Sequence, residues 1–157
     1  MGLNYEIDTL DLQIISELQR NARKPFLDIA RKLDVSGGTI HQRVEKLKEL
    51  GVLSGSRFTI DYKKMGYGVT VLIGINLIHA KKVGEVISHL TKLPEILEIH
   101  YTTGNYSLFI KVIAKDIDDF HLFLINKLQV IQEVSSTESF ICLNSPVNRE
   151  MYFDEKI

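Results

Sequence analysis

Residues 36 to 47 read Ser36-Gly37-Gly38-Thr39-Ile40-His41-Gln42-Arg43-Val44-Glu45-Lys46-Leu47, a run that sorts its chemistry by face. Ile40, Val44 and Leu47 recur at helical spacing and form an apolar stripe. At about 100° per residue, Gly38, Gln42, Glu45, Lys46 and Glu49 fall on the far side, with Thr39 and His41 on the flanks. Such a face can read nucleic acid. Gln42 can pair bidentately with adenine, Thr39 can bond a base edge or a phosphate, and Arg43 and Lys46 can engage phosphates or guanine. Gly37 and Gly38 permit close backbone approach. Ser36 suits the N-cap, and a helix N-terminus favours a phosphate. Arg57 downstream, and Arg23 and Lys24 upstream, are candidate flanking phosphate contacts. The same residues also fit a plain solvated face. Glu45 and Glu49 repel phosphates, and neighbouring charges can pair along the helix. Spacing alone leaves both readings open.

A second polar constellation is Tyr101-Thr102-Thr103-Gly104-Asn105-Tyr106-Ser107, set between two apolar runs. An ordinary hairpin turn accounts for it without any ligand. Its hydroxyls, its amide and the backbone donors freed at Gly104 also match what a carboxylate needs. Other chemistry is not supported. The five histidines, at 41, 79, 89, 100 and 121, share no metal-ligand spacing with the single cysteine, Cys142. Gly66-Tyr67-Gly68 lacks the third glycine and the following helix of a dinucleotide site. Asp116, Asp118 and Asp119 fit a helix start better than a calcium loop. No nucleophile or acid/base pair stands out, so the chain reads as a non-enzyme without a cofactor or metal.

The elements that must position these residues follow from periodicity. Residues 8–21 predict a helix with Asp8 as N-cap and Leu10, Ile14, Ile15 and Leu18 on one face. A second helix opens at Pro25 with Phe26, Ile29, Ala30 and Leu33 as its stripe, and stops at Asp34-Val35-Ser36. The third runs to Gly51. Three short helices with tight turns make a helix-turn-helix, and Val52–Phe58 with Gly55 at its bend predicts a hairpin wing. Residues 59–68 read as a linker, with the domain boundary near residue 64. Beyond it the pattern changes: a strand over 69–78, a helix over 80–92, strands over 96–102 and 107–114, a helix over 116–129 and a strand over 136–143. The expected fold class is α+β: an N-terminal winged helix-turn-helix (1–64) plus a C-terminal ferredoxin-like βαββαβ domain (65–157).

Charge is split between the two parts. Residues 1–64 hold 11 Lys and Arg against 9 Asp and Glu, whereas residues 65–157 hold 8 against 11. A mildly basic front and an acidic back suit two jobs in one chain. The lone cysteine excludes an internal disulfide, and no apolar run approaches about 18 residues, so no membrane partner and a cytoplasmic location are expected.

Ile7-Asp8-Thr9-Leu10-Asp11, Asn21-Ala22-Arg23, the 36–47 run, Gly51-Val52-Leu53, the 101–107 loop and Ser135-Ser136-Thr137-Glu138 together resemble the Lrp/AsnC family of transcription regulators, over residues 4–149. The Tyr-Thr-Thr-Gly-x-Tyr-Ser form and Ile40-His41 resemble the AsnC branch most. Asp34 stands where many members have Gly, and Gly37 where a Pro is common. The resemblance implies a sequence-specific regulator of double-stranded DNA whose C-terminal domain binds a small amino acid, asparagine in that branch. It also implies homodimers that assemble into octamers. It turns the 101–107 loop into an effector pocket, with Ser136, Thr137 and Glu138 on the adjoining strand and Asn126 and Gln129 on the last helix as further candidates. The main alternative is a stand-alone amino-acid-sensing subunit of a metabolic protein. An RNA-binding module fits less well, because the strands lack an aromatic RNP signature.

Overall fold

A computed structural model describes residues 5–151 and 153. The chain divides into two compact units. One ends at Thr59 and includes the stretch from Asn148 onward, and the other spans Ile60–Val147.

The first unit is built on α1 (Thr9–Arg20), α2 (Phe26–Leu33) and α3 (Gly37–Glu49). Asp8 and Asp11 form a reciprocal capping box at the start of α1: the Asp11 amide donates to Asp8 Oδ1 at 2.9 Å and the Asp8 amide to Asp11 Oδ2 at 3.2 Å. Pro25 is the N-cap of α2 rather than its first helical residue. Asp34 ends α2 in the left-handed region, at φ 54°, the conformation that glycine adopts without strain and Asp tolerates better than most. Ile14, Ile29, Ala30, Ile40 and Val44 close the core, with Leu10, Leu18, Phe26 and Leu53 packed around them.

The expected hairpin wing does not form: Val52–Phe58 contains no strand. The amides of Val52 and Leu53 both donate to the Leu47 carbonyl and so serve the end of α3. The remaining residues have no third strand to pack on, and an isolated two-stranded hairpin is marginal in water.

The second unit has the element order β1 (Val69–Leu77), α4 (Val83–Leu90), β2 (Ile96–Tyr101), β3 (Leu108–Ala114), α5 (Ile117–Phe123) and β4 (Val134–Ile141). The sheet is antiparallel in the order β2-β3-β1-β4. This is the expected ferredoxin-like arrangement. Val71, Ile73 and Ile75 of β1 and Leu108, Ile110 and Val112 of β3 are fully buried, against Val86 and Leu90 of α4 and Phe120 and Phe123 of α5. The alternate residues Leu72, Gly74 and Asn76 lie on the other sheet face, opposite Phe140, Glu138 and Ser136 of β4. The last helix is not uniform. From Leu124 to Leu128 it widens to a π-helical turn, and Phe120, Phe123 and Leu128 are its buried set. Ile117, expected on the buried face, is 52% exposed. Among the described residues no helix is long and apolar enough to cross a membrane.

Glu17 on α1 is buried, and the Lys24 and Lys32 ammoniums and the Arg20 guanidinium surround its carboxylate. Hydrogen bonds from Lys24, then Lys32, hold it down from its ordinary 4.5 to about 2. A carboxylate depressed on folding stabilises the native state above its unfolded pKa and loses that contribution as pH falls through its folded one. Glu17→Gln is therefore expected to lower stability at pH 7 by about 1–3 kcal/mol, discounted for the half-exposed Lys32. The gap between the two proteins should shrink as pH falls from about 4.5 towards 2. Urea unfolding of both proteins at pH 7 and pH 3 checks this, and an unchanged gap refutes it.

Candidate nucleic-acid interface and ligand cleft

In the first unit α3 is the second helix of the helix-turn-helix, and its presentation starts with its cap. Ser36 Oγ accepts from the Thr39 amide at 3.0 Å and lies 2.9 Å from Thr39 Oγ1. Both hydroxyls are thus engaged in the cap. Ile40, Val44 and Leu47 are buried, which leaves His41, Gln42 and Glu45 exposed. A shallow groove follows this side, lined by His41, Gln42, Glu45, Lys46 and Glu49. Lys46 lies 3.3 Å from Glu49 and Lys48 lies 2.7 Å from Glu45, so charges do pair along the helix. Gly38 is exposed, and Gly37 packs by Leu27.

Two expected phosphate contacts have other work. Arg43 Nη1 donates to Asp8 Oδ2 at 2.7 Å, to the Tyr5 hydroxyl at 2.9 Å and to both Asp11 oxygens at 3.2 Å. The Asp8 hydrogen bond, then that of Tyr5, raises the Arg43 pKa further above its ordinary value. Asp8 is held low by the Asp11 amide first and Arg43 next. Burial and the Asp11 carboxylate push the Tyr5 hydroxyl up. Arg43 therefore clamps α3 to the start of α1 instead of pointing away with Gln42. Lys24 is drawn in by Glu17, because a buried carboxylate takes the nearest ammonium. Arg23 sits 4.8 Å over the Phe58 ring, a cation–π contact, and Arg57 is 89% exposed beside Glu150 at 3.4 Å.

In the second unit the 101–107 loop borders a cleft of about 150 Å³. It brings together Tyr101, Thr102, Gly104, Tyr106 and Ser107 with four residues not anticipated: Asn76, Leu77, Ala80 and Val83. Asn76 carried the one available signal, as an amide within an apolar strand. The loop is held from within. Thr102 Oγ1 donates to the Tyr106 carbonyl at 2.6 Å, and the Thr102 amide donates to the Ser107 carbonyl at 3.2 Å. The Tyr106 hydroxyl donates to the Glu138 carboxylate, and its ring covers Gly74. Asn76 Nδ2 donates to Ser136 Oγ at 3.3 Å. None of the lining side chains is charged.

The cleft does not include every expected residue. Thr103 and Asn105 are exposed outside it, and Glu138 reaches it only through Tyr106. Thr137 pairs with Ile75 on the helix-covered face of the sheet. Asn126 in the π turn and Gln129 just after it are exposed and do not line the cleft. The resemblance makes them candidates as amides on the last helix, and that helix widens into the π turn from Leu124.

Family models match both parts of the chain: the AsnC-type helix-turn-helix domain over residues 7–48 and the Lrp/AsnC ligand binding domain over residues 70–152. The chain belongs to the Lrp/AsnC family. Regulatory protein AsnC of Escherichia coli is 45% identical over 93% of this chain and 96% of its own. The regulator Ptr1 of Methanocaldococcus jannaschii is 35% identical over 88% and 93%. The solved structure of E. coli AsnC superposes with a TM-score of 0.90 at 43% identity, over 94% of this chain and 99% of that one. A Neisseria meningitidis regulator solved in complex with L-Met shares the fold, with a TM-score of 0.88 at 19% identity over 96% and 98%. This Lrp/AsnC chain is thus a DNA-binding transcription regulator whose second module responds to a small amino acid.

Two substitutions test these assignments. Arg43→Ala leaves the buried Asp11 carboxylate without its cation and is expected to destabilise the first unit by about 2–4 kcal/mol, read as a lower urea midpoint. An unchanged midpoint would remove the clamp. Gly74→Ala places a Cβ 2.5–2.7 Å from three Tyr106 ring atoms, so the ring must move. A loss of about 1–3 kcal/mol is expected in the same measurement, with none in a Gly74→Ala, Tyr106→Ala double variant relative to Tyr106→Ala.

Proposed function

We propose that α3 reads duplex DNA chiefly through Gln42, with His41 and Gly38 beside it, and that Lys46, Arg57 and the Ser36–Thr39 helix start meet the phosphate backbone. The observation that carries this reading is the sidedness of α3: Ile40, Val44 and Leu47 are buried, Arg43 is turned inward, and Gln42 stands exposed. An exposed amide on a capped second helix is what major-groove recognition requires.

The effector occupies the cleft by the 101–107 loop, and asparagine is the candidate. The likeness to the AsnC branch supports it. So does the cleft's chemistry, with Asn76, Thr102 and Ser107 beside the apolar Leu77, Ala80 and Val83 and no lining charge to match an acidic or basic side chain. The protein works in the cytoplasm as a homodimer that assembles further, to an octamer on the family pattern. The helix-free sheet face supports pairing: Phe109 and Phe140 stack there at 6.2 Å, and Phe140 is 43% exposed.

The test is a titration of the protein into duplex from its own upstream region, with nonspecific competitor, with and without asparagine. Gln42→Ala is expected to weaken specific binding about 5- to 150-fold and relax the sequence preference. Lys46→Ala should weaken all duplexes alike and reduce the salt slope by about 1. Asparagine should change operator affinity by the same factor by which operator changes asparagine affinity. Full binding by Gln42→Ala defeats the reading of α3, and equal asparagine affinity with and without operator defeats the linkage.

A further inference from the structure

Tyr106 belongs to the loop before β3, yet its side chain is anchored on β4, a strand that does not neighbour β3. The sheet order places β1 between the two, and the Tyr106 ring crosses it. Gly74 of β1 and Glu138 of β4 stand directly opposite each other in the strand register. The ring lies over Gly74, where a Cβ would come within 2.5–2.7 Å of three ring atoms, and the hydroxyl donates to the Glu138 carboxylate. These two residues thus offer a gap for the ring and an acceptor at its end. The backbone of the loop closes on the same residue. Thr102 Oγ1 donates to the Tyr106 carbonyl at 2.6 Å, and the Thr102 amide donates to the Ser107 carbonyl at 3.2 Å. Thr102, Tyr106 and Ser107 all line the cleft, whereas Glu138 does not.

Building on the assignment of the cleft to the effector, we propose that Gly74 and Glu138 form a seat for Tyr106 that holds the 101–107 loop in its binding shape. Glu138 is then a positioning residue of the cleft and not a ligand of the effector. A loop built around Gly104 has much conformational freedom to lose when it closes on a ligand. A loop already fixed loses less, so the ordering is completed on folding rather than on binding. Fixing Tyr106 from β4 also fixes the carbonyl that holds the Thr102 hydroxyl at the cleft wall. A carboxylate suits the anchor, because a hydrogen bond to an ionised acceptor is stronger than one to a neutral acceptor. The rival role, an ion pair between Glu138 and the effector's ammonium, makes opposite demands. It needs the charge at position 138 and has no use for the phenol. The seat needs an acceptor at 138 and a hydroxyl at 106, and glutamine keeps that acceptor.

Calorimetric titration of L-asparagine into the full-length protein separates the two roles. Glu138→Ala and Tyr106→Phe are each expected to weaken binding about 5- to 20-fold, and Glu138→Gln by less than about 3-fold. The double variant carrying Glu138→Ala and Tyr106→Phe should bind no more weakly than either single one. Unaltered affinity in Tyr106→Phe overturns the proposal, and so does Glu138→Gln as weak as Glu138→Ala. The loop is also read without any ligand. Amide hydrogen exchange across residues 102–107 should rise severalfold in Glu138→Ala and in Tyr106→Phe, and stay near wild type in Glu138→Gln. Exchange that ignores the first two substitutions overturns the seat. If the wild type binds no asparagine, the assignment of the effector fails, and the exchange measurement still decides whether Glu138 holds the loop.

Discussion

A carboxylate with no solvent access must be neutralised where it lies, and the DNA-reading unit is organised around one. Asp11 is fully buried at the start of α1. Its oxygens receive the Tyr5 hydroxyl, the Asp8 amide and the Arg43 guanidinium. Arg43 comes from the middle of α3, so satisfying Asp11 also sets the rotation of α3 about its own axis. With Arg43 turned inward beside Val44, Gln42 is turned outward. A residue that could itself have met DNA positions its neighbour instead. Glu17, one and a half turns further along α1, repeats the principle with Lys24 and Lys32. Breaking a buried pair is far more damaging than the pair is stabilising, so such clamps specify geometry more than they add stability.

The second unit uses steric fit to the same end. A side chain at position 74 would occupy the space of the Tyr106 ring, so glycine in the middle of β1 is a packing requirement and not a conformational one. Tyr106 then lies across the sheet, with its hydroxyl on Glu138 and its ring 5.8 Å from Phe109. One residue thus belongs both to the wall of the cleft and to the aromatic row on the helix-free face. On the proposed reading, an effector in the cleft would act on the aromatic row through Tyr106, the residue common to both.

Much of this was legible beforehand, for local reasons. Asp8, Ser36 and Gly51 are helix punctuation, and their effect depends only on the adjacent backbone. The alternation of Val71, Ile73 and Ile75 and the spacing of Ile40, Val44 and Leu47 report burial directly, because each element has a fixed period. The loop over 101–107 announced itself as a cluster of small polar residues around a glycine. The failures share a cause: they concern which long or charged side chain reaches which distant partner. The intramolecular partners of Arg43 and Lys24, and the absence of a hairpin at Val52–Phe58, were not legible because a charge or a β-rich run has no local signature of its partner.

By itself the sequence determined the helix-turn-helix, the order of the βαββαβ unit, the family and the two regions that carry function. All of these rest on short-range periodicity, capping and motif. Only the tertiary structure decided which residues lie together at each candidate site. It turned Arg43 inward, joined Asn76, Leu77, Ala80 and Val83 to the 101–107 loop, set Glu138 behind Tyr106 and left Asn126 and Gln129 outside. The physical reason is that burial and pairing are properties of three-dimensional neighbours. A carboxylate on one helix selects the guanidinium of another, and a glycine on one strand makes room for a tyrosine from a loop beyond the next.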